Sequence, residues 1–353
     1  MRVVDDNNRR GGTRKQMMHH IRKGTCVVGA AVALMAVTPC ALAEDTLKLA
    51  IAERGAWNSA APELGQRAGL FKKYGIALEL TYPGADDDIE LPVISGEVDV
   101  GIGAGVVQVL RGYATKAAAA RIIGANMTGS PNYWYVLATS SIKTVRDITG
   151  RTIAYSKNGA SGPYDVFDLM DRYRVRPRPM LTTGPTATFD QVTAGKIDVG
   201  WATPPFGIDA LEQTQIRIIA RANDIPKIRD KTVHVMIAHA DTLQKRRDLL
   251  ARFVQGYRDT IEWMYSNPAA PAAYADLAGV SGSLARRLRD EFYTKEMLSP
   301  DNIRGLDVVA KEAKYAPLSK KQLADLVQIP APQRVKSSTG FGEWLRVFSP
   351  RSP

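Results

Sequence analysis

The chain has 353 residues, of which 45% are apolar and 24% are charged, a composition typical of folded globular proteins. The length predicts about two domains, and no apolar run approaches the 18 residues that a membrane-spanning helix needs. The net charge is +11, but the basic residues are dispersed and form no run longer than 245–247, which argues against a nucleic-acid-binding surface.

Residues 1–43 have the pattern of a secretory signal peptide. A basic and polar start leads into an apolar run of 13 residues, and Ala41 and Ala43 then place small side chains at the −3 and −1 positions of a cleavage site. The alternative is a disordered tail with an apolar patch. Both cysteines, Cys26 and Cys40, lie in this segment, so the cleaved chain is expected to contain neither disulfides nor thiolate metal sites.

The strongest internal signal is a repeat. Residues 96–101 read G-E-V-D-V-G and residues 195–200 read G-K-I-D-V-G, an offset of 99 that Val93 and Val192 share. Other matching residues recur in the same order with small changes in spacing. Two structurally similar units are therefore expected.

In chain order, the first unit begins with a short apolar strand at 47–52. A glycine-containing loop leads to a helix at 59–74, whose apolar residues recur on one face and whose end is marked by Gly75. Alternating apolar and polar residues predict a strand at 76–80. A loop and a short helix then lead to a third strand at 98–102.

The second unit repeats this order. It begins with a strand at 152–155 and a helix that Pro163 opens, since proline is well placed in a first helical turn. The next strand is interrupted by Pro177 and Pro179, which only an edge position would tolerate. A third strand is predicted at 198–202.

Alternating strands and helices predict parallel pairing, so the expected fold is α/β with two lobes, each a mostly parallel sheet flanked by helices. Apolar segments at 133–139 and 233–238 are predicted to be the two hinge strands between the lobes. The alternative is one continuous doubly wound sheet. The predicted organisation is a signal peptide at 1–43, lobe 1 at 44–138, lobe 2 at 139–235, a helical return to lobe 1 at 236–330 and a C-terminal tail at 331–353.

Ligands of open parallel sheets bind beyond the carboxyl ends of the strands, so the loops there are the candidate binding site. Trp57 and Trp201 follow strands of different units and are expected to clamp a planar or apolar part of a ligand, although a tryptophan in the core is the alternative. Asn58 and Thr203 lie beside them and offer polar contacts. The remaining predicted residues at strand ends are Gly84, Ala85, Gly103, Ala104, Asn126, Met127, Thr183, Gly184 and Pro204.

The loop at 157–162, K-N-G-A-S-G, is the most informative candidate. It opens a helix, whose free N–H groups favour an anion, and its glycines let the backbone approach a ligand closely. The alternative is a solvated turn with a capping serine. Its predicted ligand-binding residues are Lys157, Asn158, Gly159, Ser161 and Gly162.

No catalytic residue, metal ligand or cofactor is predicted. Outside the signal peptide the histidines are His234 and His239, which lack the H-E-x-x-H spacing, and the G-x-S-x-G pattern is absent. Asp99 and Asp198 begin strands away from the predicted site and are interpreted as structural.

Four segments together resemble a known family. Residues 66–76 (Q-R-A-G-L-F-K-K-Y-G-I) resemble its E-x-G-L-F-x-x-x-G-L segment, and residues 147–154 (D-I-T-G-R-T-I-A) resemble D-L-x-G-K-x-I-A. Residues 194–205 resemble G-x-x-D-A-x-x-x-x-x-P, and residues 96–103 resemble the strand G-x-x-D-x-G. The family is that of ABC transporter substrate-binding proteins for nitrate, sulfonate, taurine and thiamine precursors.

The resemblance implies a type II periplasmic-binding fold whose lobes close on a small ligand, which is a sulfonate, a nitrate-like ion, a carboxylate or a pyrimidine. It also implies a periplasmic monomer that delivers the ligand to a permease in the inner membrane. Gln66 departs from the acidic residue of the family. The enzymatic relatives that make the thiamine pyrimidine use a catalytic cysteine that this chain lacks after cleavage. Such an enzyme and a ligand-sensing domain are the alternative functions.

Overall fold

The structure is a computed structural model that describes residues 44–83, 89–115, 119–156 and 162–331. The predicted signal peptide lies outside the described residues. The strands are β1 (Asp45–Ile51), β2 (Ile76–Thr81), β3 (Val100–Gly105), β4 (Ala120–Thr128), β5 (Tyr133–Leu137), β6 (Thr152–Ser156), β7 (Arg178–Thr182), β8 (Gly200–Ala202), β9 (Ile216–Arg221) and β10 (Thr232–His239).

The described helices divide between the interior and the end of the chain. Those that follow strands are α1 (Ala61–Arg67), α2 (Glu90–Ile94), α3 (Val106–Ala114), α4 (Gly162–Tyr173), α5 (Pro185–Thr193), α6 (Ile208–Glu212) and α7 (Pro226–Arg229). The C-terminal ones are α8 (Ala240–Lys245), α9 (Arg247–Ser266), α10 (Ala270–Ala278), α11 (Gly282–Arg287), α12 (Leu306–Glu312) and α13 (Lys320–Leu326). No described helix combines the length and apolar character that crossing a membrane requires.

The first sheet has the strand order β2-β1-β3-β10-β4. β1 pairs in parallel with β2 and β3, and β10 is antiparallel to both β3 and β4. Apolar side chains bury both of its faces, as strands between helical layers require. Leu47, Leu49 and Ile51 lie in the core that α1 and α9 cover, and Ala50 lies in the core of α2, α3 and α12.

The second sheet repeats this order. β8, β5 and β9 form one part and β6 and β7 the other. A parallel bridge between Ile153 and Val199 joins the parts, and Ala154 N–H donates to the Val199 carbonyl at 2.8 Å. The spatial order β7-β6-β8-β5-β9 therefore matches the first sheet, with β7 at the edge as its prolines predict.

The two aspartates of the repeat have equivalent structural roles. Asp99 Oδ2 accepts a hydrogen bond from Lys48 N–H in β1 at 3.0 Å, and Asp198 Oδ2 accepts one from Thr152 N–H in β6 at 2.8 Å. Each therefore ties the turn before the third strand of its sheet to the first strand. We call this end of each sheet its amino edge. The opposite end, at which the parallel strands terminate, is its carboxyl edge.

The chain passes between the sheets at residues 129–132 and returns at residues 222–231, and we call these segments the outward and return crossings. Tyr133–Leu137 pairs with β8 and β9, so the division predicted after residue 138 falls too late. The predicted hinge strands at 133–139 and 233–238 each belong to one sheet, because β5 pairs with β8 and β9 and β10 pairs with β3 and β4. The crossings that precede them are the segments that connect the two sheets, so they are the candidate hinge of the predicted closing motion.

Two predicted helices are interrupted. The helix expected at 59–74 ends at Arg67, after which the chain turns so that Phe71 stacks on Phe253 with ring centroids 5.6 Å apart. It resumes as a 3-10 turn that Gly75 closes with φ of 65°. The helical stretch after β10 breaks at Arg246, whose guanidinium binds Asp99 at 2.6 Å.

Candidate ligand-binding site

The carboxyl edge of the first sheet carries a buried amide network. Asn58 Nδ2 donates to Asn126 Oδ1 at 3.3 Å, and Asn126 Nδ2 donates to the Asn58 carbonyl at 3.0 Å. Asn126 Nδ2 also lies 3.1 Å from Tyr257 Oη of α9. Two residues that the sequence predicted for the site, one in the loop after β1 and one in β4, are thus held against each other, while Tyr257 was not predicted.

Gly103 supports this network through its backbone. Its φ is 88°, and a Cβ at this position would lie 3.0 Å from Ala52 Cβ and 3.7 Å from Asn126 Oδ1. A side chain would therefore be strained here and would crowd the loop after β1. The glycine predicted at this strand end allows that close approach.

Three other predicted residues of the first sheet are core residues. Ala104 of β3 and Met127 of β4 are 3% and 6% exposed and lie in the cores on opposite faces of the sheet. Trp57 is 1% exposed, its ring centroid lies 4.6 Å from that of Tyr274, and its Nε1–H donates to Tyr265 Oη at 3.1 Å. The side chain of Trp57 therefore packs beneath the carboxyl edge rather than clamping a ligand.

The carboxyl edge of the second sheet carries hydroxyl groups. Trp201 Nε1–H donates to Thr182 Oγ1 at 3.0 Å, and Thr182 Oγ1 lies 2.7 Å from Thr188 Oγ1. Thr188 in turn donates to the Gly184 carbonyl at 2.7 Å. Trp201 is partly exposed, as a residue that contacts a ligand must be, and Thr183 beside it is exposed. The two buried threonines were not predicted, because hydroxyl residues are common at strand ends and helix starts.

Thr203 and Pro204 lie where the second sheet meets the rest of the molecule. Thr203 Oγ1 donates to Asn132 Oδ1 in the outward crossing. The Pro204 carbonyl accepts a hydrogen bond from Tyr293 Oη at 3.3 Å. Both predicted residues therefore contact elements outside their own sheet.

A series of hydrogen-bonded aromatic residues, which we call the aromatic chain, connects the two carboxyl edges. Trp57 Nε1–H donates to Tyr265 Oη at 3.1 Å, and Tyr265 Oη donates to the Tyr293 carbonyl at 2.6 Å. The Tyr293 hydroxyl then reaches Pro204. Because this chain begins in the loop after β1 and ends in the loop after β8, the two edges lie on the same side of the molecule. Sequence reasoning placed neither Tyr265 nor Tyr293 in the site.

One carboxylate at the first edge has no partner among the described residues. Glu53 follows β1 by two residues and is exposed, and neither a hydrogen bond nor an ion pair to described residues involves its side chain. Partial desolvation by the surrounding residues raises the pKa of Glu53. Burial raises the pKa of Tyr274 and of Tyr293, and the charge of Glu53 adds to this effect. Glu53 is therefore a candidate for contact with a ligand that carries a hydrogen-bond donor.

Other predicted groups are placed as follows. Gly162 begins α4, where a Cβ would lie 2.7 Å from the Ser156 carbonyl, so the tight turn requires glycine. Desolvation lowers the pKa of His234 to about 4, which leaves this ring neutral. The described residues contain no group of three or more His, Cys, Asp or Glu that could hold a metal ion. Six predicted site residues lie outside the described residues: Gly84, Ala85, Lys157, Asn158, Gly159 and Ser161.

Comparison with known proteins supports the fold. The family model described as NMT1/THI5 like matches residues 58–271. A search of curated protein sequences found no match. The structure is similar to the periplasmic aliphatic sulphonate binding protein SsuA from Escherichia coli, with a TM-score of 0.60 and 15% identity over 87% of this chain and 96% of that one.

Two further structures show how widely this fold is used. The alkanesulfonate-binding protein SsuA from Xanthomonas axonopodis pv. citri, bound to MOPS, gives a TM-score of 0.54 at 15% identity, over 76% of this chain and 90% of that one. The desulfurization enzyme DSZB in complex with biphenyl-2-sulfinic acid gives 0.57 at 13% identity, over 80% and 96%. At these identities the similarity demonstrates the two-lobed periplasmic-binding fold alone.

Proposed function

Because the chain belongs to the NMT1/THI5-like family, we propose that it is the periplasmic solute-binding component of an ABC importer. It captures a small molecule between its two lobes and delivers it to a permease in the inner membrane. Residues 1–43 act as its cleaved signal peptide. The single observation that carries this proposal is the aromatic chain from Trp57 to Pro204, because two carboxyl edges on one side of the molecule can share a ligand.

The ligand is a small anionic or heteroaromatic molecule that also carries a hydrogen-bond donor. The partly exposed Trp201 offers an aromatic face. Glu53 offers a carboxylate, which accepts hydrogen bonds but cannot donate one. It would therefore repel an anion that has no hydrogen-bond donor. An amino-substituted sulfonate or an aminopyrimidine combines these features. The predicted sites for the anionic part are the N–H groups at the start of α4 and the loop before it.

Calorimetric titration with matched probe pairs tests this proposal. Taurine is compared with ethanesulfonate, and 4-aminopyrimidine with pyrimidine, since each pair differs by one amino group. We expect saturable binding of at least one amino probe and weaker binding of its partner. A folded protein that binds none of these four probes, nitrate or benzoate would contradict the binding role.

Two variants locate the donor contact. Glu53→Gln is expected to weaken binding of the amino probe by about 10- to 100-fold, because a hydrogen bond to a charged carboxylate is replaced by a weaker one to a neutral amide oxygen. Glu97→Gln is the matched control, since Glu97 is an exposed carboxylate at the amino edge of the same sheet. Equal affinity of the two variants would exclude Glu53 from the site while leaving the binding role intact.

A catalytic role is the second candidate, because the desulfurization enzyme DSZB shares the fold. Incubation of the protein with biphenyl-2-sulfinic acid, followed by mass spectrometry, separates the two functions. Recovery of the unchanged probe supports a binding protein. Conversion of the probe at a rate proportional to protein concentration would support an enzyme.

A further inference from the structure

Lys231 connects the two lobes through one ammonium group. It ends the return crossing and is 2% exposed. Its Nζ donates to Asp168 Oδ2 at 2.8 Å and to Glu312 Oε2 at 3.0 Å. Asp168 belongs to α4, which packs on the second sheet, whereas Glu312 belongs to α12, which packs on the first. The ion pairs of Lys231 therefore join both lobes at the hinge.

Lys227 repeats this bridging from the surface. Its Nζ contacts Asp168 Oδ1 and lies 3.2 Å from Glu312 Oε1. Burial alone would lower the pKa of Lys231, but its bond to Asp168 and the charges of Asp165 and Glu312 raise it overall. Both lysines are therefore positively charged under all physiological conditions.

Asp165 adds a third carboxyl group to this cluster. It precedes Asp168 by one helical turn on the same face of α4 and is 1% exposed. The Ser130 hydroxyl of the outward crossing lies beside Asp165. Neither carboxyl oxygen of Asp165 makes a hydrogen bond of good geometry to a described residue. With all groups ionised, three carboxylates face two ammonium groups, and one negative charge is buried without compensation.

Such a charge is costly, and the protein can avoid the cost by binding a proton. Burial raises the pKa of Asp165 to about 7, with a further increase from Asp168 and Glu312 and an opposing effect from Lys231. In the unfolded or locally opened chain the group ionises near its ordinary value of 3.8. The stabilising effect of the proton is therefore complete below pH 3.8 and is lost as the pH rises through about 7.

We propose that Asp165 makes the hinge respond to protons. When its carboxyl group takes up a proton, the Lys231 cluster becomes neutral and holds both crossings firmly against the two lobes. When the group ionises, the uncompensated buried charge loosens the crossings, so the lobes rearrange more readily. The hinge of this chain is thus tighter in a mildly acidic compartment than in an alkaline one.

Amide hydrogen exchange of the full chain at pH 6 and pH 8.5, corrected for intrinsic exchange rates, tests this proposal. Peptides that cover the crossings at 129–132 and 222–231 are expected to open about tenfold more often at pH 8.5 than at pH 6. This ratio follows from a pKa of Asp165 of 3.8 in the opened chain and about 7 in the folded one. A peptide that covers β1 should be unchanged. Equal protection of the crossings at both pH values, or an equal change in β1, would overturn the proposal without any variant.

Two substitutions on α4 complete the test. Asp165→Asn keeps the size of the side chain but removes the titration, so its crossings should be as protected at pH 8.5 as those of the natural protein at pH 6. Asp171→Asn, an exposed aspartate on the same helix, should keep the tenfold change. If Asp165→Asn also keeps that change, another group is responsible and the proposal is wrong.

Discussion

The carboxyl edges of the two sheets are built differently, although the sheets share a strand order. At the first edge, Asn58 and Asn126 are buried and are held by Tyr257 from a helix that follows more than 100 residues later. At the second edge, Thr182 and Thr188 come from adjacent elements, and Trp201 is partly exposed. The first edge is therefore fixed by contacts that are distant in sequence, whereas the second is held mainly by contacts between neighbouring elements.

The third strands show the same contrast. β3 has 6 residues and pairs with both β1 and β10, whereas β8 has 3 residues and only one bridge connects the segment before it to β6. Fewer ladder hydrogen bonds make the second edge easier to open locally.

The largest expected effect is that of Asn126→Ala. The substitution leaves the Asn58 side chain and the Tyr257 hydroxyl buried with fewer partners, which should cost about 2–3 kcal/mol of unfolding free energy. Urea denaturation followed by circular dichroism measures this loss.

Thr182→Val removes the central hydroxyl of the second edge at constant size and should cost about 1 kcal/mol. Equal losses in the two variants would show that the edges do not differ in rigidity.

A smaller, pH-dependent effect is expected at the amino edge of the second sheet. Burial alone would raise the pKa of Asp198, but hydrogen bonds from the Thr152 N–H and hydroxyl lower it overall. The carboxylate therefore stabilises the fold above pH 3.8, and this contribution is lost as the pH falls through the lowered pKa. Asp198→Asn should cost about 1 kcal/mol at pH 7 and less than that at pH 2.5. A cost that is the same at both pH values would contradict this assignment.

The smallest expected effect is that of Tyr293→Phe. It removes the hydrogen bond to the Pro204 carbonyl, and with it about 0.5–1 kcal/mol. Exchange of amide protons near residues 203–206 should become faster while exchange in the first sheet stays the same. Tyr113→Phe, which removes a bond to Asp325 at the surface, is a control that should leave residues 203–206 unaffected.

The repeat predicted most of the fold, because its landmarks mark strand ends. The glycine and aspartate of each G-x-x-D-V-G segment do mark the turn before a third strand, and Asn58 and Asn126 do meet at one edge. The structure does not support the clamp role of Trp57, since this side chain is covered by Tyr265 and Tyr274, which lie about 200 positions away. The role of Trp201 stays a prediction. The Lys231 cluster could not be predicted either, because Asp168 and Glu312 are brought together only by the packing of different lobes.

Because of the two crossings, the second sheet comes from one continuous segment of the chain, whereas the first comes from two. All five strands of the second sheet lie within residues 133–221, whereas the first sheet combines residues 45–128 with β10 and is covered by helices that end at Leu326. If the chain emerges from a translocation channel with its N-terminus first, the second lobe can therefore complete its sheet while the first still lacks β10, which lies between β3 and β4. The second sheet is thus complete earlier along the chain than the first, although the first sheet begins nearer the N-terminus.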